Sequence, residues 1–453
     1  MKTAIIGAGA SGLSLALLLD GDVVVYEASP HAGGHCRAMI VDGFTFDEGP
    51  HIMFSKDQAV LDFMIRSLDG NVHQSRRNNR VCIDGAFVKY PIENDLASLP
   101  TDLRNRCLLD FLFNEHRDLA QNPANLDEWF LGNFGQGLTD LYFRPYNEKT
   151  WNVPLAELSM TWSERIPQPP SEDVVKGALG MSTEGYLHQL YYHYPLTGGY
   201  EALTSAWADL LPKGTLRLDT PVVEIVPEAD GVEVITSHGR ERFDRVVSTA
   251  PMPMLLTMLP DTPDSVRTAV ASLQFNPLAA VTLGFRGVDE HQFTAVYFPD
   301  PDFLVNRISA PCVFSPQNGP EGCYSIQAEI TDRVGGTSLA LSDQELVDHV
   351  RDGLVRYGIV PETHPVVFSD VQRLEYAYVV YTVDYESHVE TVRSWAEGQG
   401  VFIHGRFGAF EYLNVDGCVL RSLEMASRLN GRHTALEEIE LESAAPERPA
   451  VGG

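Results

Sequence analysis

Three glycines near the start of the chain, Gly7, Gly9 and Gly12, have the spacing G-x-G-x-x-G between a predicted strand and a predicted helix. The strand that follows the helix ends on an acidic residue, Glu27. Glycines permit a tight turn and the close approach of a pyrophosphate, and the helix N-terminus offers N–H groups to it. A carboxylate at the end of the second strand accepts hydrogen bonds from a ribose. These four residues are therefore predicted to bind a dinucleotide.

A second glycine-rich motif follows Glu27 and contains Gly34 and Arg37. The stretch ASPHAGGHCR resembles the second phosphate-proximal motif of glutathione-reductase-like and amine-oxidase-like flavoproteins, which favours FAD over NAD. Arg37 can then pair with the pyrophosphate. The later stretch TPVVEIV also resembles these proteins, and the resemblance implies that the backbone of Val223 contacts the adenine. Taken alone, that stretch would be an ordinary β-meander.

Five longer stretches are more selective, because many flavoprotein families share the nucleotide-binding scaffold. In chain order they are VKYPIENDLASLP (88–100), LDEWF (126–130), LYFRPYNEKTWNVPLAELSMTWSERI (141–166), VYFPDPDFLVNR (296–307) and HGRFGAFEYLNVD (404–416). Together they resemble UDP-galactopyranose mutases, especially the eukaryotic type, over residues 1 to 430. The RPYN-x-K-x-W-x-VP pattern is the most specific of these pieces.

The resemblance implies an isomerase that interconverts the pyranose and furanose forms of a nucleotide-linked sugar. Such a reaction is redox-neutral but needs reduced FAD, whose N5 forms a covalent adduct with the sugar while the nucleoside diphosphate leaves. The protein must hold the diphosphate and place the anomeric carbon over N5. NADPH is a candidate reductant, although no second G-x-G-x-x-G is visible in the sequence.

The resemblance also assigns diphosphate contacts to particular residues. Arg144 and Arg307 match two diphosphate-binding arginines, and two arginines suit a bidentate clamp for a diphosphate. Without the resemblance, each is as well explained by a structural ion pair. Tyr297 and Tyr412 match tyrosines near the diphosphate, and Tyr378 aligns loosely with another. The alternative for Tyr297 is a core aromatic on an alternating strand.

Other residues are assigned to the flavin and the sugar. Gly49, Pro50 and His51 match a loop beside the flavin, where a protonated histidine would stabilise the anionic reduced ring. The substrate pocket is predicted to include Tyr90, Trp129 and Asn414, although a buried core position is nearly as good an explanation for the tryptophan. Arg406 and Asp416 are predicted to contact the cofactor from the turn before the last helix, with a structural role in that turn as the alternative. No metal site is predicted.

Several positions depart from the family pattern. Glu93 stands where a glutamine usually meets uridine, Pro50 where a glycine is common, Lys56 where there is a second histidine, and Ala295 where a tryptophan is common. The stretch PQPPSED also lacks an asparagine expected near the uracil. These changes predict that the nucleotide or the sugar need not be that of UDP-galactose. Two alternatives remain: an oxidoreductase of the amine oxidase or protoporphyrinogen oxidase type, and a flavin-bound scaffold protein without catalysis.

The elements that must position these residues predict an α/β fold with a discontinuous Rossmann-type domain. The first βαβ unit is predicted from a strand at 3–6, a helix at 13–19 and a strand at 22–26. The FAD-binding domain is assigned to residues 1–88, 195–265 and 390–432. A mostly helical substrate domain is assigned to 89–194 and an antiparallel sheet domain to 266–389. Residues 433–453, which are acidic and rich in Ala, Pro and Gly, are predicted to be disordered.

Composition limits the partners. The 453 residues carry a net charge of −29, which disfavours binding to nucleic acid or to an anionic membrane surface. The six cysteines are widely spaced, which is typical of reduced thiols in a cytosolic protein, and the apolar N-terminal run continues into the glycine motif without a cleavage site. We therefore expect a cytoplasmic enzyme that binds a nucleotide sugar. A homo-oligomer is compatible with the sequence.

Overall fold

The computed structural model describes residues 1–183, 190–259, 261–439 and 441. The strands in these ranges are β1 (Lys2–Ile6), β2 (Asp22–Tyr26), β3 (Ala38–Val41), β4 (Phe44–Asp47), β5 (His73–Arg76), β6 (Asn79–Ile83), β7 (Ala86–Lys89), β8 (Tyr191–Tyr194), β9 (Leu216–Arg217), β10 (Val222–Glu228), β11 (Gly231–Thr236), β12 (Gly239–Phe243), β13 (Arg245–Ser248), β14 (Gln274–Arg286), β15 (Ala295–Tyr297), β16 (Arg307–Ser309), β17 (Cys323–Thr331), β18 (Val366–Val380) and β19 (Val401–Ile403). The α-helices are α1 (Ala10–Leu18), α2 (Gln58–Ser67), α3 (Thr101–Leu112), α4 (Leu126–Leu138), α5 (Arg144–Trp151), α6 (Ser171–Ala178), α7 (Glu201–Leu210), α8 (Met252–Met258), α9 (Asp264–Ser272), α10 (Pro311–Phe314), α11 (Asp343–Arg356), α12 (Tyr385–Gly398) and α13 (Val415–Asn430).

A parallel five-stranded sheet carries the glycine motif. Its order is β19-β13-β1-β2-β9, and every pairing is parallel. Because successive side chains of a strand point to opposite faces, Ala4 and Ile6 enter one apolar cluster and Ile5 enters another. Helix α1 is apolar on nearly all sides and is buried between this sheet and α13. The predicted α/β class and the first βαβ unit are confirmed.

A seven-stranded sheet forms the second layer. Its order is β18-β14-β17-β16-β15-β6-β7, with antiparallel pairings except the parallel pairing of β6 with β15. On β14, Leu278 and Ala280 face the helices of the middle of the chain, while Ala279 and Val281 face the side covered by α11. This alternation places the sheet between two apolar layers.

Two boundaries from the sequence analysis are wrong. Residues 79–88 are assigned to the FAD-binding domain from the sequence, but β6 and β7 belong to the seven-stranded sheet, because β6 pairs with β15 and β7 with β6. Disorder was predicted from residue 433 onward. Leu436 is instead buried in the cluster that contains α1, and Ile439 and Leu441 pack against it. Residues 440 and 442–453 of that prediction lie outside the described residues.

Among the described residues, the helices are all too short or too polar to cross a bilayer.

Candidate active site

A cavity of about 1170 Å³ lies where the parallel sheet, the seven-stranded sheet and the helical layer meet. One end, which we call the glycine end, is lined by Gly7, Gly9 and Gly34. The other, the tyrosine end, is lined by tyrosines of α5, β15, β18 and the loop after β19. The glycine end lies at the carboxyl edge of the parallel strands, which is where open α/β sheets bind their ligands.

The turn between β1 and α1 has no space for side chains. Gly7 has a φ of 98°, and a Cβ there would lie 2.3 Å from Thr249 Oγ1. A Cβ at Gly34 would lie 3.1 Å from the Cα of Gly9, so the two glycine loops are in contact. Gly12 does not line the cavity. A Cβ there would lie 1.9 Å from the carbonyl oxygen of Gly7, so Gly12 allows the helix to pack on the turn.

The first turn of α1 and the end of β2 together suit the dinucleotide part of FAD. The N-cap of α1 is Gly9, which supplies no side-chain acceptor, so the first N–H groups of the helix are suited to an anion. The Glu27 carboxylate accepts hydrogen bonds from Ala8 N at 2.8 Å and Ser29 N at 2.9 Å, which fixes it toward the cavity. Each oxygen keeps acceptor capacity for a ribose hydroxyl. Arg37 lines the same end and is ion-paired with Glu48.

The adenine contact predicted for Val223 is not made by its side chain, which is exposed and outside the cavity. Strand β10 bulges there, because Val222 pairs with Thr236 whereas Glu224 pairs with Ile235. A bulge leaves the extra residue out of the ladder and turns its side chain. Val222 lines the cavity instead. The role of the Val223 backbone stays a prediction.

At the tyrosine end, a buried glutamate connects two of the predicted residues. Arg307 on β16 lies opposite Glu329 on β17, and its Nε donates to Glu329 Oε1 at 3.0 Å. The hydroxyl of Tyr378 donates to Glu329 Oε2 at 2.6 Å. Burial opposes the charge on Arg307, but the Glu329 carboxylate outweighs it and raises the arginine pKa. Glu329 was missed by the sequence analysis. It is the one acidic residue within the apolar β17, which is a signal for a functional or structural partner.

Tyr412 lies between the glycine end and this network. Its ring stacks on Tyr378 with centroids 5.7 Å apart. The Arg406 guanidinium lies 4.1 Å from the centroid of the Tyr412 ring, and that of Arg165 lies 4.6 Å from it. Arg406 also donates to the carbonyls of Leu413 and Ala377, which fixes its plane. The cavity therefore brings Arg165, Arg307 and Arg406 together around two stacked tyrosines.

Arg144, predicted to bind the diphosphate, does not line the cavity. The residues of α5 and of the turn before it that do so form a helical stripe: Phe143, Tyr146, Asn147, Thr150 and Trp151. Arg144 is one residue out of phase with this stripe, which rotates its side chain by about 100° around the helix. It forms ion pairs with Asp127 and with Asp140 one turn earlier. Arg165, 21 residues further along the chain, does line the cavity and donates to the Tyr412 carbonyl. Arg144 therefore lies outside this cavity, and its role in binding a diphosphate stays a prediction.

Trp129, predicted to contact the sugar, is a core residue. It is buried among aromatic rings, with its centroid 5.3 Å from that of Phe130 and 5.7 Å from that of Phe134. Phe130 is the residue of this helix that lines the cavity, since adjacent residues of a helix point in different directions. The alternative given to Trp129 from the sequence, a buried core tryptophan, describes its position.

The loop after β4 places His51 in the cavity wall. Asp47 anchors this loop, because its carboxylate accepts from the Tyr194 hydroxyl at 2.9 Å and from Tyr200 N at 2.8 Å. His51 packs on the Tyr200 ring with centroids 5.2 Å apart. Burial lowers the pKa of His51 to about 4, which favours a neutral imidazole near pH 7. The role of a protonated His51 beside reduced flavin stays a prediction.

The remaining predicted residues line the cavity: Tyr90, Tyr297, Tyr378, Asn414 and Asp416. Tyr297 packs on Tyr90 with ring centroids 5.0 Å apart and on Tyr146 at 5.6 Å. Glu93 lies beside them and is 1% exposed. Burial raises its pKa to about 8, so near pH 7 it is mostly a neutral carboxylic acid that can both donate and accept.

Lys149 is a second residue that the sequence analysis missed. It binds the connection between Tyr297 and Arg307, which are the diphosphate candidates on the seven-stranded sheet. Its Nζ donates to the carbonyls of Phe298, Asp300 and Val305 at 2.9, 2.7 and 2.7 Å. These carbonyls belong to the connection from Tyr297 to Arg307. Lys149 therefore positions both residues from α5, a relation that no local pattern in the sequence indicates.

Comparison with known proteins places this geometry among flavoproteins. Two curated relatives are each 27% identical to the chain. The mitochondrial protoporphyrinogen oxidase of Nicotiana tabacum matches over 295 residues, 55% of this chain and 58% of that protein. A 4,4'-diapophytoene desaturase of Staphylococcus aureus (strain Newman) matches over 203 residues, 43% of this chain and 35% of that protein. The match thus spans less than two thirds of either relative.

Solved structures cover more of the chain. A reduced UDP-galactopyranose mutase has a TM-score of 0.88 and 25% identity, with 95% of each chain covered. Cyclohexylamine oxidase from Brevibacterium oxydans IH-35A has a TM-score of 0.68 and 16% identity over 95% of this chain and 98% of that one, which shows a shared fold. The family model described as flavin containing amine oxidoreductase matches residues 10–430. The chain therefore belongs to the flavin-containing amine oxidoreductase family.

Proposed function

We propose that this flavoenzyme is a mutase that interconverts the pyranose and furanose forms of a nucleoside-diphosphate sugar. The observation that carries the proposal is the arginine and tyrosine cluster at the tyrosine end of the cavity, where Arg165 and Arg307 approach from different layers of the fold. The likeness to a reduced UDP-galactopyranose mutase over 95% of both chains supports it. Bound FAD in its reduced form would supply a nucleophilic nitrogen for the anomeric carbon.

The residues of this chain would hold the substrate and its leaving group. Arg165 and Arg307 present guanidinium groups that match the oxygens of a diphosphate, and their charge stabilises the negative charge that develops as it leaves. Tyr297 and Tyr412 place ring and hydroxyl groups in the same wall. Glu329 keeps Arg307 and Tyr378 in fixed positions before substrate arrives, which reduces the cost of ordering them on binding.

Charge supports an anionic substrate. The chain has a net charge of −29, so its surface repels a diphosphate at long range. Three arginines at the tyrosine end place positive charge beside it, of which Arg307 is paired with Glu329. A site for an uncharged apolar substrate would gain nothing from desolvating these guanidinium groups.

A second candidate function is the oxidation of a C–N or C–C bond. The family match and the 27% identity to a protoporphyrinogen oxidase favour this alternative. An oxidase would turn over with oxidised FAD and pass electrons to an acceptor. The mutase would need FAD to be reduced first, and we propose NADPH as one candidate reductant.

The deciding experiment uses the purified FAD-loaded protein with a panel of UDP-, GDP-, CDP- and dTDP-hexoses and pentoses. Products would be identified by NMR and chromatography, with dithionite-reduced and oxidised flavin in parallel. We expect a furanose product with reduced flavin and none with oxidised flavin. No conversion of any sugar, together with flavin reduction by an amine or another small donor, would refute the mutase and favour the oxidase.

A further inference from the structure

Asp47 is a buried carboxylate at a point where several parts of the fold meet. It is the last residue of β4 and is 3% exposed. Its carboxylate accepts from the Tyr194 hydroxyl on β8 at 2.9 Å and from the Tyr200 backbone N, at the start of α7, at 2.8 Å. Its own carbonyl oxygen accepts from Gln327 Nε2 on β17 at 2.8 Å. One residue therefore ties the end of β4 to β8, to α7 and to the seven-stranded sheet.

The chain after Asp47 leads directly into the wall of the large cavity. Gly49, Pro50 and His51 line the cavity, and we call these three residues the wall segment. The Nδ1 of His51 is buried and has no hydrogen-bond partner within the described part of the chain. A polar nitrogen that is buried without a partner costs free energy unless a ligand satisfies it. The wall segment is therefore built toward a molecule that the cavity holds.

Bound FAD would bring its ring system to the wall segment. Its ribose and pyrophosphate suit Glu27 and the glycine end, so the rest of this elongated molecule must extend toward the tyrosine end. Burial lowers the pKa of His51 most, and the positive charges of Arg406 and Arg307 lower it further, so the imidazole is close to both arginines. His51 therefore lies beside the path that the flavin ring would take.

We propose that Asp47 is a positioning residue for the flavin, because its ionised carboxylate fixes the wall segment and with it the side of the cavity against which the ring packs. The inference requires FAD in the cavity but not the mutase reaction. A sugar assay without product would leave it standing, and a flavin that does not respond to Asp47 would leave the mutase standing.

Protonation of Asp47 would weaken this arrangement near neutral pH. Burial raises the pKa of Asp47 to about 7, and the charge of Glu201 on α7 acts in the same direction. Hydrogen bonds from the Tyr200 N–H, the Tyr194 hydroxyl and the His51 N–H oppose the rise. Charge-assisted hydrogen bonds are roughly twice as strong as neutral ones, so a neutral Asp47 binds these donors less tightly. The wall segment is therefore fixed more firmly above about pH 7 than below it.

Several other titratable groups face Asp47. They are Tyr194 on β8, Tyr200 and Glu201 on α7, Cys36 in the turn before β3, and Glu48 and His51 after β4. Burial raises the pKa of the two tyrosines and of the thiol well above their usual range, and lowers that of the imidazole to about 4. Burial opposes the charge on Glu48, but hydrogen bonds from His35 and Arg37 outweigh it and lower the pKa of that carboxyl. Asp47 is therefore the group of this set whose pKa is moved to near 7.

The test follows the visible absorption spectrum of the FAD-loaded protein between about pH 5.5 and pH 9, a range that brackets the Asp47 pKa. We expect a one-proton transition of the flavin spectrum centred near pH 7 in the wild type. Asp47→Asn should abolish the transition, because an amide does not titrate. Tyr194→Phe removes one donor to the carboxylate, so the transition should move up by about one pH unit, a tenfold change in proton affinity.

Matched variants separate Asp47 from other sources of such a transition. Tyr192→Phe removes a buried hydroxyl two residues earlier on the same strand, which donates instead to the Val313 carbonyl, and it should leave the midpoint unchanged. Burial also brings two other groups that are near the cavity into this pH range, with a pKa of about 8 for Glu93 and about 7 for Lys149. Glu93→Gln and Lys149→Met should each keep the transition.

Three results would overturn the proposal: a wild-type flavin spectrum that does not change with pH, a transition that persists in Asp47→Asn, or a midpoint that Tyr194→Phe leaves in place. A purely structural role for Asp47 would lower the Tm of Asp47→Asn without producing a transition in the wild-type flavin spectrum. Should Asp47→Asn fail to fold, the comparison of Tyr194→Phe with Tyr192→Phe decides alone.

Discussion

Arg165 lines the cavity where Arg144 was expected, and comparing variants of the two residues tests the site directly. Arg165→Ala removes a guanidinium that lies over Tyr412 and lines the cavity. Arg144→Ala removes one of similar chemistry, 21 positions earlier, that is held by Asp127 and Asp140 outside it. The two variants change the net charge equally, so net charge cannot explain a difference between them.

The expected sizes follow from the surroundings. Charge-assisted hydrogen bonds contribute about 1.5 to 3 kcal/mol each, and Arg165 is exposed enough that solvent screening favours the lower end. Loss of Arg165 should therefore weaken nucleoside diphosphate binding by about 2 kcal/mol, or about 30-fold in Kd. Arg144→Ala breaks two partly exposed ion pairs, which costs about 1 kcal/mol of unfolding free energy. Its Kd should stay within about threefold of the wild type.

The assay is calorimetric titration of each FAD-loaded variant with UDP and GDP, alongside thermal unfolding. Arg165→Lys should recover part of the affinity, because a lysine restores the charge but not the planar pair of donors. A larger loss of affinity in Arg144→Ala than in Arg165→Ala would refute the assignment of the clamp.

Three further outcomes are expected. Trp129→Ala should lower the free energy of unfolding by about 3 to 5 kcal/mol with little change in nucleotide Kd, measured by denaturant titration and calorimetry. An affinity loss without a stability loss would contradict its core position. The pKa of Glu93 is raised from 4.5 to about 8 in the folded protein. Between these two pH values the native state keeps a proton that the unfolded chain releases, so the free energy of unfolding falls as pH rises. Glu93→Gln should therefore gain Tm relative to the wild type between about pH 5 and pH 8.5, and a constant difference would count against a buried neutral acid. Lys149→Met leaves three carbonyls without their donor, so it should weaken diphosphate binding through Tyr297 and Arg307 and cost about 1 to 3 kcal/mol of stability per carbonyl. Unchanged affinity and stability would show that the connection from Tyr297 to Arg307 keeps its position without Lys149.

The parts of this protein that the sequence predicted well are those encoded locally. The glycine turn and Glu27 depend on residues within one or two elements, and the turn carries its own conformational signal. The tyrosines of the site could also be found, since the longer motifs name them directly. These residues were chosen from sequence motifs, and they line the cavity.

The expectations and the cavity lining differ where side-chain direction decides. Arg144 and Trp129 each lie one residue away from a cavity-lining neighbour, and only the phase of the helix separates them. That phase is set by irregular turns: Gly135 has a φ of 76° within α4, and residues 139–143 form a wide π-type turn before α5. Glu329 and Lys149 were missed because their partners are far away in the sequence, on two other strands for Glu329 and in the connection from β15 to β16 for Lys149.

The parallel sheet has a consequence for how the protein is made. Its central strands are β1 and β13, yet one edge is β19, so residues 2–6 and 401–403 belong to one sheet. During translation at about 5 to 20 residues per second, the chain would wait roughly 20 to 75 s between completing β2 and completing β19. Until then, β13 keeps an open edge whose N–H and C=O groups can pair with another chain. The acidic residues that repel a diphosphate in the folded enzyme would also keep these unfinished chains apart, which makes the net charge of −29 useful before any substrate is bound.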